Sequence, residues 1–179
     1  MDTYQETQLS ILNTLIKQAR KSLASKPAGS LQIRTNKNSY QYYYAKPDTE
    51  KITYIRKKKM SFIRSLAQKQ YDQKFLAAAE ILRKEIPASS KYCGRSGMHA
   101  FYQYLASVYE NLSPARQELV TPYVMPDEMF IQSWLAAEYT GKPFSENAPE
   151  ITTENGERVR SKSENMIADR LLRIGIAYR

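Results

Sequence analysis

Residues 31–55 read LQIRTNKNSYQYYYAKPDTEKITYI, and this stretch decides the fold class of the chain. Residues 31–34 alternate apolar and polar side chains, which is the pattern of a half-buried strand. Residues 40–44 and 52–55 are rich in aromatic and β-branched residues, and turn-forming Asn-Lys-Asn and Lys-Pro-Asp separate the three runs. We therefore predict a small three-stranded antiparallel meander near the N-terminus.

The chain around this meander is patterned for helices. Apolar residues recur at the helical period, and Pro27 and Pro87 follow the two longest runs. Trp134 shares a stripe with Leu135 and with Met129 or Phe130, which we expect to be core. The predicted fold class is α+β and mostly helical, with five to six helices. They are expected over residues 4–25, 60–85, 98–111, 113–120, 127–139 and between Ser161 and Gly175, with a loop over residues 91–97.

Composition divides the chain into four predicted segments. Residues 1–59 hold the N-terminal helix and the Tyr-rich meander, and residues 60–140 form a helical region. Residues 141–157 are rich in Gly, Pro, Asn and Glu, which is typical of an acidic linker. Residues 158–179 form a basic loop followed by a helix.

The composition also excludes several classes of protein. No run of eighteen apolar residues is present, so no membrane span is predicted. The polar, acidic N-terminus argues against an ordinary signal peptide. The single cysteine, Cys93, fits a reducing compartment, and the single histidine, His99, excludes a multi-histidine metal site. We expect a cytoplasmic protein with no membrane partner.

Charge is distributed unevenly along the chain, whose net charge is +9. Residues 1–100 carry 19 Lys and Arg against 7 Asp and Glu, residues 101–157 carry 2 against 9, and residues 158–179 carry 6 against 2. Excess positive charge on a surface attracts phosphate backbones through counterion release, largely without regard to sequence. Many cytosolic proteins are this basic without binding nucleic acid. The pattern favours nucleic acid, RNA or DNA, or a nucleoprotein as the partner.

The predicted meander combines five tyrosines with basic residues, and two interpretations of them stay open. Aromatic rings on a sheet can stack unpaired bases, each stack being worth roughly 1–3 kcal/mol. The same rings can instead pack across strands beside a solvated basic edge. Tyr42 and Tyr44 share one face and are expected in the core, whereas Tyr40 and Tyr43 remain candidates. The candidate nucleic-acid-binding residues of this region are Arg34, Lys37, Tyr40, Tyr43, Arg56, Lys57, Lys58, Lys59 and Arg64.

A second candidate site lies in the last two dozen residues. Ser161 and Glu164 have capping-box spacing, and Gly175 fits the left-handed position just past a helix end. Glu164 is therefore expected to cap this helix, where the helix dipole favours a carboxylate. The basic residues expected to contact phosphate here are Arg158, Arg160 and Lys162.

Residues 156–179 read GERVRSKSENMIADRLLRIGIAYR. This segment resembles proteins of phages and mobile elements of Gram-positive bacteria that carry a C-terminal PD-(D/E)XK nuclease-like domain. The resemblance implies that Glu164 is the helix glutamate that assists metal binding, which makes it the candidate catalytic and metal-binding residue. A role as a helix cap only stays open, because a divalent ion needs several oxygen ligands. The resemblance also implies that residues 176–179 begin the first core strand. The Asp and Glu-x-Lys of that family would follow, and the chain as given ends before them. Weaker similarity extends upstream to Gly29-Ser30-Leu31, Gln41-Tyr42-Tyr43, Leu66-Ala67-Gln68-Lys69 and Asp127-Glu128.

Two functions follow from these patterns. The first is a nucleic-acid- or nucleoprotein-binding protein of mobile-element origin, including an inhibitor of a host defence system such as a CRISPR effector. Such an anti-CRISPR would act on the guide RNA or on the nucleic-acid channel. The alternative is a metal-dependent PD-(D/E)XK-type nuclease, or the N-terminal fragment of one, with Mg²⁺ or Mn²⁺ as its cofactor. We expect the chain as given to lack a complete nuclease site, so that cleavage would need groups from a partner.

Overall fold

The computed structural model describes residues 2–37, 39–47, 49, 51–141, 143–144 and 150–178. Within these residues the chain is mostly helical and has a three-stranded antiparallel sheet, so the predicted α+β class is confirmed. The helices are α1 (Thr3–Ala24), α2 (Met60–Glu85), α3 (Gly94–Glu110), α4 (Pro114–Gln117), α5 (Asp127–Ala136) and α6 (Lys162–Arg173). The strands are β1 (Ser30–Asn36), β2 (Ser39–Ala45), β3 (Ile52–Ile55), β4 (Ile151–Thr152) and β5 (Arg158–Val159).

The meander forms where the alternation of residue types predicts it. β1 pairs with β2 and β2 pairs with β3, both antiparallel, with Ile33 opposite Tyr42 and Tyr42 opposite Ile55. The inner face of this sheet buries Leu31, Tyr42 and Ile55, none of them more than 5% exposed. The predicted core position of Tyr42 is therefore confirmed. Of the predicted turn residues, Asn38 and Asp48 lie outside the described part of the chain.

The inner face of the sheet shares one core with α1, α2 and α3. α2 packs on both β1 and α1, and it ends just before Pro87, whose ring cannot continue a helix. Burying a Leu or Phe side chain stabilises by about 1.5–3 kcal/mol, so this common apolar layer holds the meander against the helices. No helix in the described part of the chain is both long enough and apolar enough to cross a bilayer. The core includes Leu12, Ile63, Leu66, Tyr71, Phe75, Leu82, Phe101 and Leu105.

The predicted loop over residues 91–97 is wrong in its second half, because α3 already begins at Gly94. A 3₁₀ turn over Ser90–Tyr92 precedes the helix. Gly97 lies against the backbone of Tyr92, and a Cβ atom at Gly97 would overlap the Tyr92 carbonyl. The glycine at this position thus permits close packing of a helix rather than a change of chain direction.

Contacts group the chain into two compact units, Met1–Pro126 and Asp127–Arg179. The first unit contains the meander and α1 to α4, because the sheet and the helices share a core. The second unit contains α5, the β4–β5 hairpin and α6. The predicted four segments differ from this division in two ways. Their boundary at residue 59 cuts through the core that the sheet shares with the helices, and the predicted linker over residues 141–157 contains β4. Residues 145–149 of that linker lie outside the described residues.

The second unit buries few side chains, and two predictions about it are wrong. Phe130 is 58% and Leu135 48% exposed on α5, and Trp134 is half-buried, so the predicted core stripe is largely uncovered. Residues 176–178 form no strand, although the resemblance implied one, and Arg179 lies outside the described residues. Gly175 does adopt the left-handed conformation expected beyond α6, with a φ of 71°.

Candidate nucleic-acid interface

Arg34, Tyr43 and Tyr54 form a cluster on the outer face of the sheet, and we call these three residues the outer platform. Side chains alternate between the two faces of a strand, so Tyr43 lies opposite to the buried Tyr42. The antiparallel register sets Tyr54 of β3 directly beside Tyr43 of β2. Arg34 of β1 completes the cluster from the diagonal position.

The outer platform has a defined geometry. The rings of Tyr43 and Tyr54 lie edge to face, with centroids 5.6 Å apart and planes at 70°. The guanidinium carbon of Arg34 lies 4.6 Å from the centroid of the Tyr43 ring. The Tyr43 hydroxyl donates a hydrogen bond of 3.0 Å to Oε1 of Gln41. These contacts orient the Tyr43 ring before any ligand arrives.

Exposure distinguishes the outer platform from a second core. Tyr54 is 52% exposed, and its neighbour on the same face, Ile52, is 44% exposed. Both side chains remain in contact with water, because no described element covers them. The outer platform can therefore accept a flat aromatic ligand without any rearrangement of the core.

The remaining tyrosines of the meander face the other way. Tyr40 has the same strand parity as Tyr42 and lies opposite Thr35, so the structure does not bring it together with Tyr43. Tyr44 is half-buried, and its ring meets that of Phe62 edge-on at 5.4 Å. Of the two predicted stacking candidates, only Tyr43 lies on the outer face.

The predicted basic residues of the first unit are exposed. We call residues 56–59 the basic strip; it links β3 to α2 and includes a 3₁₀ turn over Lys57–Lys59. β3 runs antiparallel to β2 and ends at Ile55 opposite Tyr42, the middle residue of β2. The basic strip therefore leaves the sheet in the direction of the β1–β2 turn, which contains Lys37. Arg64 is exposed near the start of α2.

None of these cations is neutralised by a described carboxylate. The ion pairs among the described residues join Arg20 to Glu80, Arg83 to Glu80 and Arg173 to Glu154. They involve neither the outer platform nor the basic strip. The positive charge at this end of the sheet is consequently available to an anionic partner.

The second candidate site lies on the β4–β5 hairpin and α6. The guanidinium carbons of Arg158 and Arg160 lie 4.6 and 5.2 Å from the centroid of the Phe144 ring. Lys162 is exposed at the first position of α6. This site is separate from the outer platform in sequence and belongs to the second unit.

Glu164 acts as a helix cap in this structure. The Ser161 hydroxyl accepts a hydrogen bond from the Glu164 amide at 3.1 Å, and the Glu164 carboxylate accepts one from the Arg160 amide at 2.7 Å. The second bond reaches one residue further back than in a standard capping box. Both backbone donors are satisfied, as the predicted cap role requires.

The donor set does not fit the Mg²⁺ or Mn²⁺ that a nuclease would need. Within the described residues, no group of three or more His, Cys, Asp or Glu side chains could hold a metal ion. Two other carboxylates of the second unit have partners of their own: Asp169 accepts a hydrogen bond from the Glu154 amide, and Glu154 pairs with Arg173. We therefore derive no cleavage step from Glu164.

Tyr54 is the residue of the site that the sequence interpretation omitted. Its strand was predicted, but its neighbour across the sheet depends on the register between β2 and β3. The register of the strands is the signal that could have identified Tyr54. In an antiparallel pair, a register that sets Ile55 opposite Tyr42 also sets Tyr54 opposite Tyr43.

Comparisons of this chain with protein-family models, with curated proteins and with solved structures find no match. The similarity to phage and mobile-element proteins therefore stays a prediction, and the site is interpreted from its own geometry.

Proposed function

We propose that the protein binds single-stranded nucleic acid, alone or within a nucleoprotein, through the outer platform and the basic strip. The observation that supports this best is the exposed ring of Tyr54 beside the half-buried Tyr43, whose ring Arg34 contacts, on a sheet face that the core does not use.

The tyrosines explain a preference for single strands. Every base has an apolar face that can stack on an aromatic ring, and each such stack is worth roughly 1–3 kcal/mol. In a duplex those faces are already covered by neighbouring base pairs. Tyr54 is the more exposed ring, so it offers the first stacking position, and Tyr43 beside it offers a second contact.

The basic strip supplies the phosphate contacts. Four successive cations at residues 56–59 follow directly after the strand that carries Tyr54. A nucleotide whose base stacks on Tyr54 therefore has its backbone within reach of these cations. Phosphate contacts of this kind contribute affinity in a salt-dependent manner and carry no sequence information.

The same surface supports a role in blocking a host defence system. A CRISPR effector holds its guide RNA and target strand by backbone and shape, and it contains single-stranded segments during recognition. A small basic protein with a stacking surface can compete for such a segment or occupy the channel that holds it.

Binding of a short unstructured RNA, the matching single-stranded DNA and the corresponding duplex tests the proposal. We expect both single strands to bind more tightly than the duplex in fluorescence anisotropy, with affinities that decrease as salt is added. Equal affinities for single strands and duplex would show that the rings take no part.

A further inference from the structure

A cavity of about 260 Å³ lies in the first unit, away from the outer platform. Gln70, Gln73 and Lys74 of α2 form one wall, and Arg116 of α4 and Val120 contribute to the lining. The volume is below the usual range for drug-sized ligands, about 300–1,000 Å³, so an occupant would be small.

Arg116 differs from Lys74 in this lining because its guanidinium is half-buried and has no described counter-charge. Its guanidinium donates a hydrogen bond of 3.1 Å to the backbone oxygen of Leu31 and another to Oε1 of Gln70. Both acceptors are neutral. No ion pair among the described residues includes Arg116.

A half-buried cation without a counter-ion carries a desolvation cost. Consistent with this, burial lowers the pKa of the Arg116 guanidinium from its usual value. A guanidinium has five N–H donors, and the two hydrogen bonds to Leu31 and Gln70 leave others for a ligand. Lys74 is exposed and adds a second positive charge to the same cavity.

Arg116 also has a structural role, since it satisfies the carbonyl of Leu31 on the edge strand β1. That role accounts for one side of the guanidinium. It does not account for a cavity beside the guanidinium or for the second cation in its lining.

We infer that this cavity binds a phosphate group, with Arg116 as the principal contact and Lys74 at its edge. A guanidinium donates two parallel hydrogen bonds to phosphate oxygens, and an ammonium adds a charge contact. Both inorganic phosphate and the terminal phosphate of an oligonucleotide have this chemistry. The assignment does not rest on the outer platform, because the two sites share no residue.

Thermal unfolding in inorganic phosphate, against chloride of equal ionic strength, tests this site. We expect phosphate to raise the unfolding midpoint, since a ligand that binds only the folded state stabilises it. Lys74→Gln should weaken apparent phosphate affinity roughly threefold to fivefold. Lys84→Gln, which removes an exposed lysine of α2 outside the cavity, is the matched control and should leave affinity unchanged.

A trinucleotide with and without a 5′-phosphate identifies the source of the phosphate. Tighter Lys74-dependent binding of the phosphorylated trinucleotide supports an oligonucleotide end, and binding of inorganic phosphate alone supports the free ion. The inference fails if inorganic phosphate stabilises the fold no more than chloride and the 5′-phosphate does not tighten binding of the trinucleotide. It also fails if Lys74→Gln and Lys84→Gln have the same phosphate affinity.

Discussion

Tyr54 on β3 lies edge-on to Tyr43 on β2, with ring centroids 5.6 Å apart, on the face of the sheet opposite to the core. Tyr42, one position before Tyr43, is buried beneath the same sheet. Adjacent tyrosines in one strand thus have opposite roles, because successive side chains of a strand point to opposite faces. Tyr42 supports the fold, and the half-buried Tyr43 lies on the outer face.

Charge reversal in the basic strip should reduce the salt dependence of binding. Each phosphate contact to a single strand contributes about 0.7 to the slope of log affinity against log salt concentration. The double variant Lys57→Glu/Lys58→Glu should therefore lose affinity and flatten the slope by about one unit or more. Salt titrations by fluorescence anisotropy measure both quantities.

The matched control is Lys17→Glu/Lys21→Glu, which makes the same change of net charge on exposed positions of α1. It should change the slope much less. Equal effects of the two double variants would mean that net charge, and not the position of the basic strip, determines binding.

Asp72 should be the buried polar residue whose replacement lowers the stability of the fold most. It is fully buried, and its carboxyl accepts hydrogen bonds from Ser22 at 2.7 Å, from Gln68 at 2.9 Å and from Tyr123 at 2.9 Å. Asp72→Ala leaves three donors unsatisfied and should lower the free energy of unfolding by about 3 kcal/mol or more. Urea denaturation followed by circular dichroism measures this loss.

Tyr123→Phe gives a smaller, graded test of the same network. Burial raises the pKa of Tyr123 to about 12, so its hydroxyl remains a hydrogen-bond donor at neutral pH. Removing that single donor should cost about 1 kcal/mol. A cost for Asp72→Ala no larger than that for Tyr123→Phe would contradict the proposed network.

The N-terminal cap of α1 should make stability depend on acid pH. The Gln5 backbone amide donates to the Asp2 carboxylate and holds the pKa of Asp2 below its usual value of 3.8; the Gly94 amide donates to the same carboxylate. A carboxyl with a lowered folded-state pKa stabilises the fold above its unfolded-state pKa. This contribution is lost as the pH falls through and below 3.8.

Asp2→Asn keeps a side-chain acceptor at the cap but does not titrate. Thermal unfolding should therefore show a smaller decrease of the midpoint between neutral and strongly acid pH in this variant than in the unmodified protein. An identical decrease in both proteins would mean that Asp2 contributes nothing to the acid response.

Glu164 should behave as a cap and not as a catalyst. Glu164→Gln retains an oxygen that can accept from the Arg160 amide, so it should preserve α6 and nucleic-acid affinity alike. When labelled RNA or DNA is incubated with Mg²⁺ or Mn²⁺, the unmodified protein and Glu164→Gln should show the same background level of cleavage. Metal-dependent cleavage that disappears in Glu164→Gln would instead support the nuclease interpretation.

Local elements of this fold were predictable because local chemistry determines them. Pro87 ends α2, Ser161 and Gly175 mark the two ends of α6, and the alternation in residues 31–34 indicates a strand. Each of these signals acts within a few residues. The core role of Tyr42 followed from the same alternation.

Features that depend on distant partners were not predictable. The apolar stripe of α5 was expected to be buried, but periodicity shows only that a face is apolar and not that another element covers it. Asp72 was not identified, because two of its three donors, Ser22 and Tyr123, lie some 50 residues away in the sequence. Tyr54 joined the candidate site only through the strand register.

The most direct test of the central claim is the affinity of Tyr54→Ala for a short unstructured RNA, measured beside that of Tyr4→Ala. Tyr4→Ala removes another exposed tyrosine, 45% exposed against 52% for Tyr54, from α1. Loss of one stack, roughly 1–3 kcal/mol, predicts an affinity about 5-fold to 150-fold lower for Tyr54→Ala. Tyr4→Ala should bind like the unmodified protein, and both variants should remain folded. Unchanged affinity in a folded Tyr54→Ala variant would contradict the account.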